Sequence, residues 1–406
     1  MCKKGKIMRL RKISLVVLSI FVCACSHVQK EMEPSEAGPK QTSTLYDRTG
    51  IVKKELAFKF FKYTVTDVNI TEKIFGASED EYNDLGERIA PLYRSSPKQQ
   101  LLITSYASDG LIDGTVYVYD IKTDSYFSLV AYEGTKQINN SVYFDGAYIY
   151  AEAIKDAPQL DIYTEVVEVK LFRDGETKTL TSNGIGAPGF YNIDNVIYFG
   201  RKWFENQDDE LRICSGISKI VNDEEIQITK FCSDKIVGSW REDNSFEYMG
   251  ATGSYKHYFY YLSYTQGSEK AAVNLYNTRD GSIKTYPFIR KENSVLGIAF
   301  SNDYLIIGTN LDRTSHCKYS SIHIETNKTL DYSVDACYSF SQMSDQFIYA
   351  SSRSQYRISL IEINDLGEMI IYESQDESLG YFIPISDDSY IEKGFENIYY
   401  ISRAPR

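Results

Sequence analysis

Residues 142–153 read VYFDGAYIYAEA, and residues 190–200 read FYNIDNVIYFG. In both stretches two short apolar runs, rich in Tyr and Ile, flank a turn made of Asp, Asn or Gly. Aromatic and β-branched side chains pack well on a pleated surface, and Asp-Gly between two such runs is a strong hairpin signal. Each stretch is therefore predicted to form one β-hairpin.

The same pattern recurs from about residue 90 to the end of the chain, at steps of about 42 to 59 residues, which is in the range of propeller blades. The turns of these hairpins are centred near Pro97, Gly146, Asn195, Ser254, Asp303, Asp345 and Asp388. A second set of hairpins lies between them, with Asp174-Gly175 and Asp280-Gly281 as the strongest turn signals. Four strands per period predict an all-β propeller of four-stranded blades.

The number of blades follows from the count of hairpins. Seven blades are favoured, and six is the alternative if the last hairpin and the N-terminal strands are shared differently. Only one strand, residues 395–402, follows the seventh hairpin, so that blade lacks its outer strand. The N-terminal run 51–60 is predicted to supply it, because such closure removes an open sheet edge. Helix content is expected to be low, with residues 79–92 as the one stretch of helical periodicity.

The N-terminus has the features of an export signal. Six basic residues precede an apolar run, residues 13–24, that is too short to span a bilayer. The run ends in Val22-Cys23-Ala24-Cys25, which resembles a bacterial lipobox. This resemblance implies that Cys25 is lipidated and becomes the mature N-terminus; the alternative is an ordinary secretory signal with an incidental cysteine.

Three segments follow from this interpretation. Residues 1–24 are the signal peptide, residues 25–44 a flexible tether, and residues 45–406 the propeller domain. The tether has almost no large apolar side chain, so burial cannot repay the entropy of ordering it.

Removing the six basic residues of the signal from the 44 in the chain leaves 38 against 56 acidic residues. That balance argues against a nucleic-acid partner, because phosphate binding needs the opposite charge.

A family resemblance rests on the segment Gly184-Ile185-Gly186-Ala187-Pro188-Gly189-Phe190. Together with the lipobox, the tether and the hairpin pattern, it resembles the glycine-proline element between blades of TolB-like β-propeller lipoproteins of Bacteroidetes. The segment departs from that element at Ala187 and occurs once. The resemblance implies an outer-membrane lipoprotein, six blades and no shared catalytic residues. Whether the domain faces the periplasm or the outside stays open.

Four cysteines remain when Cys2, Cys23 and Cys25 are set aside, and an even number in an exported chain favours disulfides. The midpoints of two pairs fall in predicted hairpin turns, at residues 223 and 327. Facing residues of a hairpin have Cα atoms within disulfide reach. The predicted bonds join Cys214 to Cys232 and Cys317 to Cys337.

Local signatures of catalysis are missing from the sequence. HExxH, CxxCH, GxSxG and GxxxxGK do not occur, which excludes the common signatures of metalloproteases, c-type haem, nucleophile-elbow hydrolases and P-loop enzymes. Acidic runs at 208–210, 223–225 and 387–388 lack the spacing of an EF-hand loop. The two in predicted hairpin turns, 223–225 and 387–388, are interpreted as solvated turn residues. No metal and no cofactor are expected.

The candidate binding surface is the face that carries the irregular connections, because function usually resides in loops on a rigid scaffold. Trp203 is predicted to open a loop, 202–210, between the second and third strands of a blade, and Trp240-Arg241 to lie in the connection before the fourth blade. Exposed indoles stack on sugars or anchor protein partners, and arginines hold carboxylates. The alternative is that both Trp rings fill gaps between blades. The candidate ligand-binding residues are Trp203, Trp240, Arg241, Arg313 and Arg353.

The sequence thus predicts a lipid-anchored, non-catalytic binding or scaffold module of the cell envelope, with a protein or a glycan as partner. One alternative is a glycan-active hydrolase or lyase, which requires carboxylates or a metal in one pocket. Another is a structural subunit of an outer-membrane complex, which requires an exposed apolar patch. A pocket without paired acids favours the binding module.

Overall fold

The fold is seen in a computed structural model, in which every regular element of the described residues is a β-strand. No described residue belongs to a helix that could cross a membrane. The structure describes residues 51–55, 63–67, 92–96, 100–106, 112–131, 138–154, 166–207, 210–232, 247–265, 269–289, 295–310, 317–334, 337–342, 345–352, 358–373, 381–386, 389–393 and 398–403. The predicted signal peptide, the lipidation site Cys25, the tether and residues 79–91 lie outside these ranges.

Most strands belong to four-stranded antiparallel units, which we number 1 to 7 in chain order. Unit 1 is β3(Leu92–Ser96), β4(Gln100–Tyr106), β5(Ile112–Asp120) and β6(Ser125–Ala131). Unit 2 is β7(Ile138–Phe144), β8(Ala147–Ala153), β9(Val166–Arg173) and β10(Glu176–Ile185). Unit 3 is β11(Phe190–Ile193), β12(Val196–Gln207), β13(Glu210–Val221) and β14(Glu224–Gln227), with a two-residue β15(Phe231–Cys232) beside β13.

The remaining units repeat this order. Unit 4 is β16(Glu247–Tyr255), β17(Tyr258–Thr265), β18(Lys270–Asn277) and β19(Ile283–Ile289). Unit 5 is β20(Val295–Ser301), β21(Tyr304–Asn310), β22(Cys317–His323) and β23(Thr329–Val334). Unit 6 is β24(Tyr338–Gln342), β25(Ile348–Ser352), β26(Ile358–Ile363) and β27(Met369–Glu373), and unit 7 contains β28(Tyr381–Ser386), β29(Ser389–Lys393) and β30(Ile398–Arg403).

Units 2 and 3 form one nine-stranded sheet, because β10 and β12 share the single pair Gly184↔Trp203. Each of the two units nevertheless keeps its own series of antiparallel strand pairs. The predicted all-β fold of repeated four-stranded sheets, a β-propeller type, is confirmed. The assignment of the seven units to seven blades rather than six stays a prediction.

The N-terminal strands close the domain differently from the prediction. The run 51–60 was expected to complete unit 7, but β1(Ile51–Glu55) pairs in parallel with β27, as a fifth strand outside unit 6. The outer strand of unit 7 is β2(Tyr63–Asp67), antiparallel to β30. Closure by an N-terminal strand is therefore correct, and the strand that performs it lies further along the chain. A β-rich run shows that a strand forms, but not which sheet edge it joins.

Two-residue turns connect many of the hairpins, and their backbone explains the residues found there. Asp194 and Asn195 have φ of 49° and 63°, and Asp145 and Gly146 have φ of 50° and 77°. Two consecutive positive φ values are the geometry of a type I′ turn, which matches the right-handed twist of the flanking strands. The predicted tight turn at Asp280-Gly281 is longer, since β18 ends at Asn277 and β19 begins at Ile283.

The apolar cores lie between neighbouring units. Successive clusters join units 1 and 2, 2 and 3, 3 and 4, 4 and 5, and 5 and 6. Phe199, Phe259 and Phe300 have no exposed surface. Burying one such side chain stabilises the fold by roughly 1.5 to 3 kcal/mol. The sheets therefore depend on their neighbours for stability.

Both predicted disulfides are present. Cys214 of β13 faces Cys232 of β15 across the outer hairpin of unit 3, with Cα atoms 4.0 Å apart. Cys317 of β22 bonds to Cys337, with Cα atoms 5.3 Å apart. This second bond does not join facing strand residues, because Val334 is the partner of Cys317 and Cys337 lies in the connection to β24.

Ion pairs link the short turns of consecutive units on one face, which we call the turn face. Arg279 Nε lies 3.2 Å from Asp194 Oδ2, and Lys256 Nζ lies 2.7 Å from Asp303 Oδ1. These pairs are exposed and contribute at most about 1 kcal/mol each. The opposite face carries the connections between the second and third strands and between units, and we call it the loop face.

Candidate functional site

Trp203 is the one predicted ligand residue within the described ranges; Trp240, Arg241, Arg313 and Arg353 lie outside them. Trp203 does not open a loop as predicted. It lies inside β12, paired with Cys214, and β12 and β13 stay paired as far as Gln207↔Glu210. The predicted loop 202–210 is thus mainly the end of a long hairpin.

The Trp203 side chain is 7% exposed, as the alternative of a gap-filling ring anticipates. The Arg201 guanidinium carbon lies 4.4 Å from the ring centroid, and the indole Nε1 donates to Glu205 Oε2 at 3.3 Å. Cation–π contact and the hydrogen bond fix the ring. Its role as a ligand contact stays a prediction.

Glu225 shows that the acidic run 223–225 is more than a solvated turn. Its side chain is 12% exposed, and its Oε1 lies 3.2 Å from Arg201 Nε and accepts a hydrogen bond from Ser218 Oγ at 2.6 Å. Arg201 also donates to Thr181 Oγ1 of unit 2. The interpretation of this run as solvated was wrong for Glu225, because an arginine two strands away could not be paired with it from the sequence.

A cleft of about 170 Å³ lies beside this cluster, on the loop face between units 3 and 4. One wall is the connection between β10 and β11, another is the inner edge of β12, and the third is the beginning of β16. The lining residues are Ile185, Gly186, Ala187, Pro188, Gly189, Gly200, Arg201, Lys202, Met249, Gly250 and Thr252. The glycine-proline segment singled out in the sequence is therefore one wall of the cleft.

The cleft exists because β11 is short. β11 covers β12 only as far as the pair Phe190↔Phe199, and β10 rejoins β12 at Gly184↔Trp203. No described strand faces Gly200, Arg201 and Lys202 on this edge. The register shift in β16 between Met249 and Thr252 makes the opposite wall irregular.

Two hydrogen bonds and one close contact hold the walls in place. Asn140 Nδ2 of unit 2 donates to Pro188 O at 2.8 Å, and Tyr191 Oη donates to Thr252 O at 2.6 Å. Burial raises the pKa of Tyr191, so its hydroxyl stays protonated as a donor. A Cβ on Gly200 would lie 2.6 Å from Met249 Sδ, which shows how closely β16 approaches. The cleft is preformed by these contacts.

The lining offers hydrogen-bond donors and positive charge. Within the described part of the chain, the N–H groups of Gly186, Ala187 and Gly189 have no hydrogen-bond acceptor. Lys202 is half-buried, and burial lowers the pKa of its ammonium group. No carboxylate is among the described residues that line this cleft. The arrangement fits an anionic group.

A second cluster has the composition of a metal site but not its chemistry. Glu205, Cys214 and Cys232 bring candidate ligand atoms within 4.8 Å of one another. The two sulfur atoms are bonded to each other, so neither is a thiolate that could bind a metal. Glu205 instead pairs with Lys230 at 2.6 Å, which lowers the pKa of its carboxyl group.

Sequence reasoning missed Arg201 and Lys202. The nearby signals were the glycine-proline segment and the predicted loop 202–210, in which Trp203 was selected as the ligand residue. That β11 would end early, and so expose the edge of β12, depends on pairing between strands of different units.

Comparisons with known proteins give fold-level similarity. No protein-family model matches the sequence, and no curated protein matches it. A streptogramin B lyase structure shares 11% identity over 84% of this chain and 98% of that chain, with a TM-score of 0.43. An oligogalacturonate lyase in complex with manganese shares 11% identity over 77% and 89%, with a TM-score of 0.45.

A post-proline cleaving enzyme from Rickettsia typhi shares 12% identity over 80% of this chain, with a TM-score of 0.48. This chain spans about half, 51%, of that enzyme. These structures are of the β-propeller type. Similarity at this level carries no argument about activity, ligand or partner.

Proposed function

We propose that the protein is a lipid-anchored, non-catalytic binding module of the bacterial cell envelope, whose loop face holds a protein partner. The observation that carries the proposal is the preformed cleft between units 3 and 4, whose described lining has amide donors and cationic residues and no carboxylate. Such concave sites with a few convergent polar groups are typical ligand sites.

The charge of the lining favours binding over glycan hydrolysis. Glycosidases use two carboxylates about 5 to 9.5 Å apart on either side of the scissile bond. The described cleft contains Arg201 and Lys202 in place of such a pair. An anionic group is attracted there, and no general acid or base is supplied for its cleavage.

The apolar part of the lining favours a protein partner over a glycan. Sugars stack on exposed aromatic faces. None of the described lining residues is aromatic, and Arg201 covers one face of the nearby Trp203. Ile185, Pro188 and Met249 instead offer an aliphatic surface that suits an apolar side chain.

Attachment to the envelope through Cys25 is the second part of the proposal. It is supported by the basic residues, the short apolar run and the lipobox-like segment Val22-Cys23-Ala24-Cys25. We expect Cys25→Ser to abolish labelling by an alkyne-bearing fatty acid in cells and to release the protein from the membrane fraction. The matched control is Cys23→Ser, which keeps the second cysteine. Equal labelling of both variants would contradict lipidation at Cys25.

The binding role is tested with the full-length protein in its own membrane. A photo-crosslinking amino acid at Ala187, in the cleft wall, should give one discrete protein adduct, and the same residue at the exposed Thr123 of the turn face should not. The adduct should disappear when Lys202→Met is added. Equal adducts from both positions, or an adduct at Ala187 that is indifferent to Lys202→Met, would contradict a partner site at the cleft.

A further inference from the structure

We infer that Glu205, Cys214 and Cys232 form a zinc site when the disulfide of unit 3 is reduced. In the oxidised protein the two sulfur atoms are bonded to each other, and reduction turns both into ligands. The inference goes beyond the proposed function and does not depend on it. It follows from the ligand atoms, their placement by the backbone, the surroundings of the carboxylate and the exposure of β15.

The three ligand atoms are of the kinds that zinc prefers. Zinc binds cysteine thiolates and carboxylates, almost always in a tetrahedral arrangement. The candidate atoms of Glu205, Cys214 and Cys232 lie within 4.8 Å of one another. Bonds of about 2.0 to 2.3 Å place the ligand atoms of a tetrahedral zinc ion roughly 3.3 to 3.8 Å apart. Only the two sulfur atoms must therefore move apart, and water takes the fourth position.

Backbone pairing keeps the two cysteines together when their bond is broken. Cys214 of β13 and Cys232 of β15 are facing residues of an antiparallel pair, with Cα atoms 4.0 Å apart. The chain that leads into β15 is fastened to β13 independently of the sulfur atoms. Ile217 N donates to Thr229 Oγ1 at 3.0 Å, and Thr229 N donates to Ile217 O at 3.3 Å. Reduction therefore leaves both thiols on the same hairpin.

The carboxylate is already oriented toward the sulfur atoms. Glu205 lies two residues beyond Trp203, the partner of Cys214 in β12, so its side chain is on the same face of the sheet. Its Oε2 lies 3.5 Å from Cys214 Sγ and accepts a hydrogen bond from Trp203 Nε1 at 3.3 Å. Such outer hydrogen bonds orient the ligands of metal sites.

The positive charge of Lys230 is compatible with a bound zinc ion. Lys230 Nζ lies 2.6 Å from the Glu205 carboxylate. A zinc ion with two thiolates and one carboxylate has a net charge of −1, so a neighbouring ammonium group balances the complex. The Lys230 side chain is 42% exposed and can move to make room for the metal.

The disulfide is open to reduction from one side. Cys232 lies in the exposed strand β15, whereas Cys214 has no exposed surface. A thiolate of an external dithiol attacks Cys232 Sγ, and the electron pair of the broken bond goes to Cys214, which takes up a proton. The second thiol of the reductant then releases Cys232 and leaves as a cyclic disulfide. The protein gains two electrons and two protons, and zinc binding releases the two protons.

The disulfide that starts in unit 5 is a natural control. No group of this composition within the described residues includes Cys317 or Cys337. Cys317 is buried in an apolar cluster with Tyr319 and Tyr338, and Cys337 packs against the same cluster. Reduction of this second bond therefore yields thiols without a neighbouring carboxylate.

The test measures zinc binding to the full-length protein in detergent. One sample is reduced with dithiothreitol and freed of it under argon, and the other is kept oxidised. Both are titrated with Zn²⁺ in competition with a chromophoric chelator. We expect the reduced protein to bind one zinc ion per chain and the oxidised protein to bind none. Co²⁺ as a spectroscopic probe should give a thiolate charge-transfer band only in the reduced sample.

Variants assign the metal to the three ligands. Cys214→Ser combined with Cys232→Ser should abolish zinc binding, whereas Cys317→Ser combined with Cys337→Ser should preserve it. Glu205→Gln should weaken zinc binding at least about tenfold, because loss of even an outer-shell partner costs a metal site that much. Its matched control is Glu224→Gln, which removes an exposed carboxylate of the neighbouring strand β14.

The outcomes decide the inference apart from the proposed function. Equal zinc binding with and without reduction would overturn it, as would a reduced protein that binds no zinc. Equal affinity of the unchanged protein and Glu205→Gln would show that thiols alone bind the metal, as in an unfolded chain, and would also contradict the site. None of these results affects the photo-adduct at Ala187, which forms without reduction.

Discussion

Unit 3 and unit 5 are built alike, yet only unit 3 has the cleft among the described residues. Both units carry a disulfide that starts from the third strand, at Cys214 and at Cys317. Both also have a glycine as the fifth residue of the second strand, Gly200 in β12 and Gly308 in β21. In each case the inner strand of the next unit packs against that glycine.

The difference lies in the inner strand. In unit 5, β20 reaches Gly308 through the pair Gly297↔Gly308 and extends to Val295↔Thr309, and the Phe340 ring lies over both glycines. In unit 3, β11 stops one residue before Gly200. The missing pairs leave an open edge where unit 5 has a filled one. A binding site thus arises in a repeated scaffold by shortening one strand, without any special catalytic residue.

The largest expected effect concerns the disulfide bonds, one in unit 3 and one that starts in unit 5. Replacing either pair by alanines, Cys214→Ala with Cys232→Ala or Cys317→Ala with Cys337→Ala, should lower the free energy of unfolding by about 3 kcal/mol on the chain-entropy estimate. The two losses should be similar, because the sequence separations are 18 and 20 residues. Urea unfolding followed by fluorescence measures both.

The outcome of that experiment sharpens the comparison. If only the unit 5 variant loses stability, the unit 3 hairpin is held mainly by its ion pairs and not by its disulfide. A loss below about 1 kcal/mol in both would contradict a stabilising role for either bond.

The next effect compares two closely packed glycines, Gly297 in the inner strand β20 of unit 5 and Gly200 in the second strand β12 of unit 3. In Gly297→Ala, the added Cβ would lie 2.7 Å from Phe340 Cβ and 3.0 Å from the Phe340 backbone nitrogen. Because backbone cannot move aside, we expect a loss of about 2 to 3 kcal/mol. In Gly200→Ala the nearest atoms belong to side chains, Met249 Sδ at 2.6 Å and Thr252 Cγ2 at 2.8 Å, and both residues border the open cleft.

Gly200→Ala is therefore expected to cost about 1 kcal/mol or less. The measurement is the urea midpoint of each variant under the same conditions. An equal loss in both variants would mean that Gly200 is as tightly packed as Gly297, which would contradict the open cleft.

The smallest effect concerns the part of β12 that extends beyond the length of β21, twelve residues against seven. There the hydrogen bond from Lys230 lowers the pKa of Glu205 from its ordinary value. A carboxyl group whose folded pKa is lowered adds stability above its unfolded pKa, and this stability is lost as the pH falls through the folded pKa.

Glu205→Gln should therefore lower stability slightly at pH 7, by less than about 1 kcal/mol for so exposed a pair, and not at all at low pH. Thermal unfolding from pH 7 to pH 3 measures the change. Lys178→Gln is the matched control, because it removes a weaker ion pair. Lys178 Nζ lies 3.9 Å from Glu224 Oε1, and both side chains are exposed. A loss independent of pH would contradict the electrostatic origin.

The hairpins could be predicted from the sequence because their signals are local. Turn pairs such as Asp145-Gly146 and Asp194-Asn195 need φ values that few residues adopt, so composition reveals them. The spacing of Cys214 and Cys232 around one such turn likewise identified a facing pair. The partner of β1 could not be predicted, since an edge strand accepts any strand of suitable pattern.

The candidate site was predictable only in its location. The irregular loop face and the glycine-proline segment were identified, and the cleft lies at both. Arg201 and Lys202 were missed because alternating side chains of a strand give no sign of where the facing strand ends. Trp203 was expected to open a loop, whereas pairing with Cys214 and with the residues beyond keeps it inside β12.

The most direct test of the open edge is amide hydrogen exchange of the full-length protein. We expect residues 200–201 of β12 to exchange faster than residues 308–309 of β21, because β11 ends at the pair Phe190↔Phe199 whereas β20 continues to the pairs Gly297↔Gly308 and Val295↔Thr309. Equal or slower exchange at residues 200–201 would contradict an open edge formed by the short inner strand of unit 3.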